Sequence, residues 1–145
     1  MKNTPVIAPL RPTSLQGPHR IADASQALRH VFVRDLVMTC SIGVYDHEKT
    51  APQRVRINVD LGVREAEGAL GDAIDNVVCY EQIVNRVRSI AQDGHVNLVE
   101  TMAERVAVMC LQDPRVRSAR VRVEKLDVFE DAHSVGVEIE RYSSL

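Results

Sequence analysis

From Arg54 to Arg64 hydrophobic and polar residues alternate without a break: Val55, Ile57, Val59, Leu61 and Val63 share one parity, and Arg54, Arg56, Asn58, Asp60, Gly62 and Arg64 the other. A period of two sends successive side chains to opposite faces, so residues 54–64 are predicted to form a strand with one wet face. Val31 and Val33, followed by the mostly apolar run Leu36–Gly43, predict an earlier strand bulged near Arg34. Gly68, Gly71, Asp72 and Asp75 mark a loop, after which Tyr80, Ile83, Val84, Val87, Ile90 and Ala91 recur at helical spacing and predict a helix over 79–92. Asp93-Gly94 ends it, and a second helix is expected from Asn97, with Glu100 three places on as in a capping box. Its apolar face is Val99, Met102, Ala103, Val106, Ala107 and Cys110, and Asp113-Pro114 closes it. Val121 and Val123, then Val135, Val137 and Ile139, alternate as two further strands. The order β-β-α-α-β-β predicts an α+β fold, an antiparallel four-stranded sheet with two helices on one face.

Pro5, Pro9, Pro12 and Pro18 crowd the start of the chain, where no hydrophobic period is sustained, so residues 1–28 read as a flexible Pro-rich extension and 29–145 as one folded domain. Forty-five per cent of the residues are apolar and 26% charged, the composition of a globular protein able to bury its own core. Eighteen Lys and Arg against twenty Asp and Glu leave a net charge of −2, which offers no cationic field to nucleic acid or an acidic membrane. The early apolar patch Pro5–Leu10 is broken by Pro9, and no run nears the roughly eighteen apolar residues of a membrane span, so a cytoplasmic location is expected. Cys40, Cys79 and Cys110 stand far apart, unlike a zinc site or a disulfide framework, and read as reduced buried thiols. With Trp absent, Phe32, Tyr45, Tyr80, Phe129 and Tyr142 are all the aromatics available, so the core must be aliphatic and any stacking platform must come from these five.

Some residues break the pattern. Lys125 follows Val121 and Val123 on the inward parity of its strand. Either the strand ends at Glu124 and the amine reaches water, or a buried ammonium must find a carboxylate or lose its proton, and both buried outcomes suit proton transfer. Glu100 at a helix start needs no more than capping, yet a carboxylate there can also accept two parallel N–H donors from a ligand with an amidine-like edge. Tyr80 can be core packing or a stacking ring with a phenolic proton. Glu48, in Asp46-His47-Glu48-Lys49, can be part of a solvated turn or a general base at a strand end. His47, His95, His133 and Cys79 share no metal-ligand spacing, and no phosphate loop, serine elbow or dinucleotide fingerprint occurs.

Taken in order, Ile42-Gly43 with Glu48 and Gln53, Val78-Cys79-Tyr80, Asn97-Leu98-Val99-Glu100 with Ala103-Glu104-Arg105, Val121-Arg122-Val123-Glu124-Lys125, and Ser134-Val135-Gly136-Val137-Glu138-Ile139 resemble the dihydroneopterin aldolase family. The resemblance runs over roughly residues 30–142 without large gaps, and its strength lies in the series, no piece being specific alone. It implies the tunnelling fold, in which subunits close into a ring-shaped barrel, a homo-tetramer whose rings commonly pair into an octamer. It also implies a pterin substrate. Glu100 would grip the pterin's 2-amino and N3 edge, helped by backbone groups of Leu98 and Val99. Tyr80, with the backbone of Val78 and Cys79, would cover the ring from a neighbouring subunit. Lys125 and Glu48 would be the acid and base around an ordered water, and Tyr80 would help protonate carbon. Neither metal nor cofactor is implied, because the protonated N5=C6 imine of the pterin accepts the electrons of the breaking C1′–C2′ bond. The products would be 6-hydroxymethyl-7,8-dihydropterin and glycolaldehyde, on the folate route.

The match departs in two places. Many aldolases carry a proline-rich stretch ending in Gly-His after the lysine, whereas this chain reads Leu126-Asp127-Val128-Phe129-Glu130-Asp131-Ala132-His133, shorter and acidic. Ile42 stands where many have His before the glycine. The first departure resembles the sister group, the dihydroneopterin triphosphate epimerases, which make the same retro-aldol intermediate and re-add the fragment on its other face. Aldolase is the leading expectation, epimerase the near alternative, and a non-catalytic pterin-binding ring the third.

Overall fold

The protein is described by a computed structural model covering residues 20–144. Strand β1 (Leu28–Cys40) leads through a one-turn helix α1 (Asp46–Thr50) into β2 (Gln53–Arg64); helices α2 (Tyr80–Ala91) and α3 (Val99–Leu111) follow, then β3 (Val116–Lys125) and β4 (Val135–Tyr142). The strands form one antiparallel sheet in the order β1-β2-β3-β4, so the predicted β-β-α-α-β-β order and α+β class hold, with α1 added. Pairing of β1 with β2 slips between Val33 and Leu36, the predicted bulge. There Asp35 takes a φ of 54° and donates its N–H to the Asn58 side chain at 2.8 Å. Of the amino-terminal extension, residues 1–19 lie outside the described residues. Beyond them Ile21 is buried, and Asp23, which caps a short 3-10 turn, Ala24–Gln26, also bridges to Leu28.

The two faces of the sheet divide by parity. Val55, Ile57, Val59, Leu61, Val121 and Val123 are fully buried beneath the helices, where Ile83, Val87 and Ala91 of α2 meet Met102, Ala103, Val106 and Ala107 of α3. This core is aliphatic, as the composition requires, and all five aromatic rings, Phe32, Tyr45, Tyr80, Phe129 and Tyr142, are more than half exposed. The opposite face, predicted to be wet, is polar but largely covered by its own ion pairs: Arg56 with Glu124 at 2.9 Å, His30 and Arg34 with Asp60 at 2.7 Å each, and Arg120 with Glu140 at 2.8 Å. The outer edges of β1 and β4 have no strand beside them among the described residues. Among the described residues no helix is long and apolar enough to cross a membrane.

One boundary differs from the expectation. Helix α3 begins at Val99 with Leu98 as its extended N-cap, so Asn97 lies outside it and the expected Asn97–Glu100 capping box does not form. The cause is tertiary: Val96 is held in a bridge to Ile42, the chain bends at Asn97, and Leu98 is extended, so the helix starts only at Val99.

Candidate active site

Strand β3 runs on to Lys125, which pairs with Val55 of β2 and lies on the same parity as Val121 and Val123. The amine is therefore drawn under the end of the sheet. Its Nζ lies 2.6 Å from Glu48 Oε2, with only 16% and 8% of the two side chains exposed. The charged Asp46–Lys49 cluster is thus a helical turn that buries its carboxylate, α1 turning Glu48 inward while Asp46, His47 and Lys49 remain exposed.

Glu48 is held by more than the amine. The Gln53 amide donates to Glu48 Oε2 at 3.0 Å and to the Ile42 carbonyl at 2.7 Å, and the Tyr45 N–H donates to Glu48 Oε1 at 3.3 Å. Gly43 makes room for it: a β-carbon there would stand 2.2 Å from the Glu48 carboxyl carbon, and the backbone has a φ of 136°. The Lys125 hydrogen bond, helped by Gln53 and Tyr45 and opposed by burial, lowers the Glu48 carboxyl to about 2. Glu48 is therefore an anion at neutral pH, poised as an acceptor beside a donor. Burial pushes the neighbouring Cys40 thiol up, although the Lys125 charge opposes this.

The Ile42–Val96 bridge sets the loop before α3 against the segment leading to Glu48, and so brings the start of α3 to this end of the molecule. Glu100 lies there in the first turn, exposed and without a hydrogen bond or ion pair among the described residues. Leu98 is half exposed and Val99 packs partly against the core. A carboxylate free of capping duty and set among first-turn amides can receive a ligand's paired donors.

Val78, Cys79 and Tyr80 lie elsewhere. Cys79 is the N-cap of α2, Val78 is buried, and the Tyr80 ring is 67% exposed. Val78 and Cys79 line a cavity of about 230 Å³ together with Met109, Cys110, Leu61 and Val116. Met109 is at the far end of α3, about 14 Å from Glu100 along the axis at a helical rise of about 1.5 Å per residue. One chain thus brings Lys125, Glu48 and Glu100 to one end of α3 and Val78, Cys79 and Tyr80 to the other. Among the described residues no group of three or more His, Cys, Asp or Glu side chains is arranged to hold a metal ion.

A Lys–Glu pair shielded at the end of the sheet sets a proton donor beside an acceptor, with an unspent carboxylate at the nearby helix start. Residues 31–140 match the model of the dihydroneopterin aldolase (FolB) family, and the chain belongs to that family. The dihydroneopterin aldolase of Escherichia coli (strain K12) is 30% identical over 115 residues, 79% of this chain and 94% of that protein. The crystal structure of the E. coli enzyme in complex with neopterin superposes with a TM-score of 0.72, covering 78% of this chain and 98% of that one at 30% identity. A dihydroneopterin aldolase structure from Burkholderia thailendensis, bound to guanine, is 33% identical with a TM-score of 0.72, covering 81% of this chain and 93% of that one. More distant is the dihydroneopterin triphosphate 2'-epimerase of Pseudomonas aeruginosa, 24% identical over 76% of this chain and 89% of that protein.

His95 was not singled out for this site beyond failing as a metal ligand. It lies 52 residues from Gly43, whose carbonyl it reaches, and no local pattern could have signalled the contact.

Proposed function

We propose that this chain cleaves 7,8-dihydroneopterin by a retro-aldol reaction, at a site built where two copies meet. The observation that carries the reading is the 2.6 Å pair between Lys125 Nζ and Glu48 Oε2 at the end of α3 that also bears the open Glu100 carboxylate. Glu100 accepts the 2-amino and N3 protons of the pterin, with backbone groups of Leu98 and Val99 beside it. The Glu48 carboxylate, through a water held with Lys125, takes the 2′-hydroxyl proton. The C1′–C2′ pair flows into the imine protonated at N5, the Lys125 charge favours that flow, and glycolaldehyde leaves. Protonation of C1′, assisted by the Tyr80 phenol, completes 6-hydroxymethyl-7,8-dihydropterin.

Tyr80, Val78 and Cys79 lie too far along α3 to cover a pterin held by Glu100 of the same chain, which supports a neighbouring copy as their donor. The open outer edges of β1 and β4 support closure into a homo-oligomeric ring, a tetramer or paired rings, since repeated edge-to-edge pairing removes the hazard of free strand edges. Three free cysteines fit a cytoplasmic setting.

Epimerisation is the second reading, favoured by the short segment between β3 and β4, where Asp127 accepts from the Arg54 guanidinium at 2.7 Å. Purified protein is incubated with 7,8-dihydroneopterin and, separately, with its triphosphate, and the products are separated by fluorescence chromatography. Glycolaldehyde with 6-hydroxymethyl-7,8-dihydropterin is expected. The 2′-epimer alone would make it an epimerase, and no product from either would leave a binding ring.

A further inference from the structure

His95 lies in the loop between α2 and α3 with both ring nitrogens engaged. Nε2 stands 2.7 Å from the Gly43 carbonyl oxygen and Nδ1 2.6 Å from the Ser41 hydroxyl. A carbonyl only accepts, so Nε2 carries a proton and donates to it, while Nδ1 pairs with the hydroxyl. The ring thereby spans the two residues flanking Ile42. Two backbone bonds reinforce the junction: the Gly43 N–H donates to the Val96 carbonyl at 2.9 Å, and the Val96 N–H to the Ser41 carbonyl at 3.1 Å.

These bonds hold the floor under Glu48. The Glu48 carboxyl rests on Gly43 so closely that a β-carbon could not be inserted, so any movement of Gly43 moves the carboxylate. On the other side of the junction the chain runs from Val96 directly to Leu98 and Glu100. The imidazole therefore ties together the segments that carry the two carboxylates of the proposed reaction.

We propose that His95 is a positioning residue which, with Ser41, sets the spacing between the Glu48 carboxylate and the Glu100 end of α3 without touching substrate. Its kinetic arm rests on the proposed function; its structural arm does not. A base must lie within hydrogen-bond reach of its proton, and displacement by about 1 Å costs on the order of 100-fold, so loss of one partly exposed bridge is expected to cost about tenfold in kcat.

The test compares wild type with His95→Ala, Ser41→Ala and the double variant as intact assemblies. His95→Ala is expected to lower kcat about tenfold and Ser41→Ala about threefold, while KM and the Kd for 6-hydroxymethylpterin, which is gripped through Glu100, change by less than about twofold. The double variant is expected to be no worse than His95→Ala, since both residues act through one bridge. Amide hydrogen exchange at Gly43 and Val96 is expected to quicken about tenfold in His95→Ala, with α3 amides unchanged. A normal kcat in His95→Ala, unchanged exchange at Gly43 and Val96, or a kcat loss matched by equal loss of ring affinity would each overturn the inference. If His95→Ala fails to fold, Ser41→Ala carries the same comparison. If wild type releases no glycolaldehyde, the functional reading falls and the exchange measurement alone decides the clamp.

Discussion

The two ends of α3 are built in opposite ways. At its amino-terminal end Glu48 accepts from Lys125, Gln53 and Tyr45, and the surrounding chain is fastened through Ile42, Gly43 and Val96. At its carboxyl-terminal end Val78 and Cys79 border a cavity, and the Tyr80 ring projects with no hydrogen bond among the described residues. The first end needs nothing more to hold its geometry, because a buried ion pair is tolerable only when both charges are paired and bonded. The second presents a ring with nothing to stack on. On the proposed reading these two ends are unlike half-sites, and pairing the head of one copy with the tail of another would complete both.

The strongest break in that comparison is removal of the amine. Lys125→Ala is expected to lower kcat on the order of 1,000-fold, the scale of a lost acid–base partner, while isothermal titration with the pterin product still shows binding. The same substitution leaves Glu48 buried without its cation, so its carboxyl titration, followed by carbon NMR, is expected to move up from about 2. Normal turnover in this variant would remove the acid–base role. Glu100→Ala is expected to weaken pterin affinity about 100-fold, as loss of a charge-assisted double hydrogen bond does, with melting temperature nearly unchanged because Glu100 has no hydrogen-bond or ion-pair partner among the described residues.

Mixing sharpens the comparison further. Lys125→Ala and Tyr80→Ala chains, unfolded and reassembled together in equal amounts, are expected to recover about a quarter of wild-type activity, because one site in four pairs an intact lysine end with an intact tyrosine end. No recovery would place all site groups in one chain. Tyr80→Phe keeps the stacking ring and loses the phenol, so product release from dihydroneopterin is expected to slow about tenfold with little change in pterin affinity.

The smallest effect is on stability against acid. Glu48 and Glu124 are both held at about 2, by Lys125 and by Arg56 respectively, against an ordinary value of 4.5. A carboxyl with a lowered folded-state value stabilises fully above its unfolded value and loses that share as protons bind. Chemical denaturation is therefore expected to show constant stability from these groups above pH 4.5 and a decline from there toward pH 2. Lys125→Ala should remove the Glu48 share of that slope.

Much of the architecture was legible along the chain. Strict alternation in β2 put Val55, Ile57, Val59, Leu61 and Val63 in the core because parity in a strand admits one solution once a face is apolar. The shortage of aromatic residues implied an aliphatic interior, and Lys125 stood out as a charge on an apolar parity. The start of α3 was misplaced by a local capping signal at Asn97, which lost to a bridge between residues 54 positions apart in sequence, Ile42 and Val96.

Local order, then, was determined by short-range periodicity: which segments are strands or helices, which face of each is apolar, and which charged residue stands out of pattern. Tertiary structure alone decided that Lys125 meets Glu48 from 77 positions away, that Glu100 is left without a capping bond, and that His95 fastens Gly43. The reason is physical. Periodicity records a residue's relation to neighbours within a few positions, whereas a hydrogen bond between distant segments depends on the sheet register, the bulge and the loop path that bring them within 3 Å of each other.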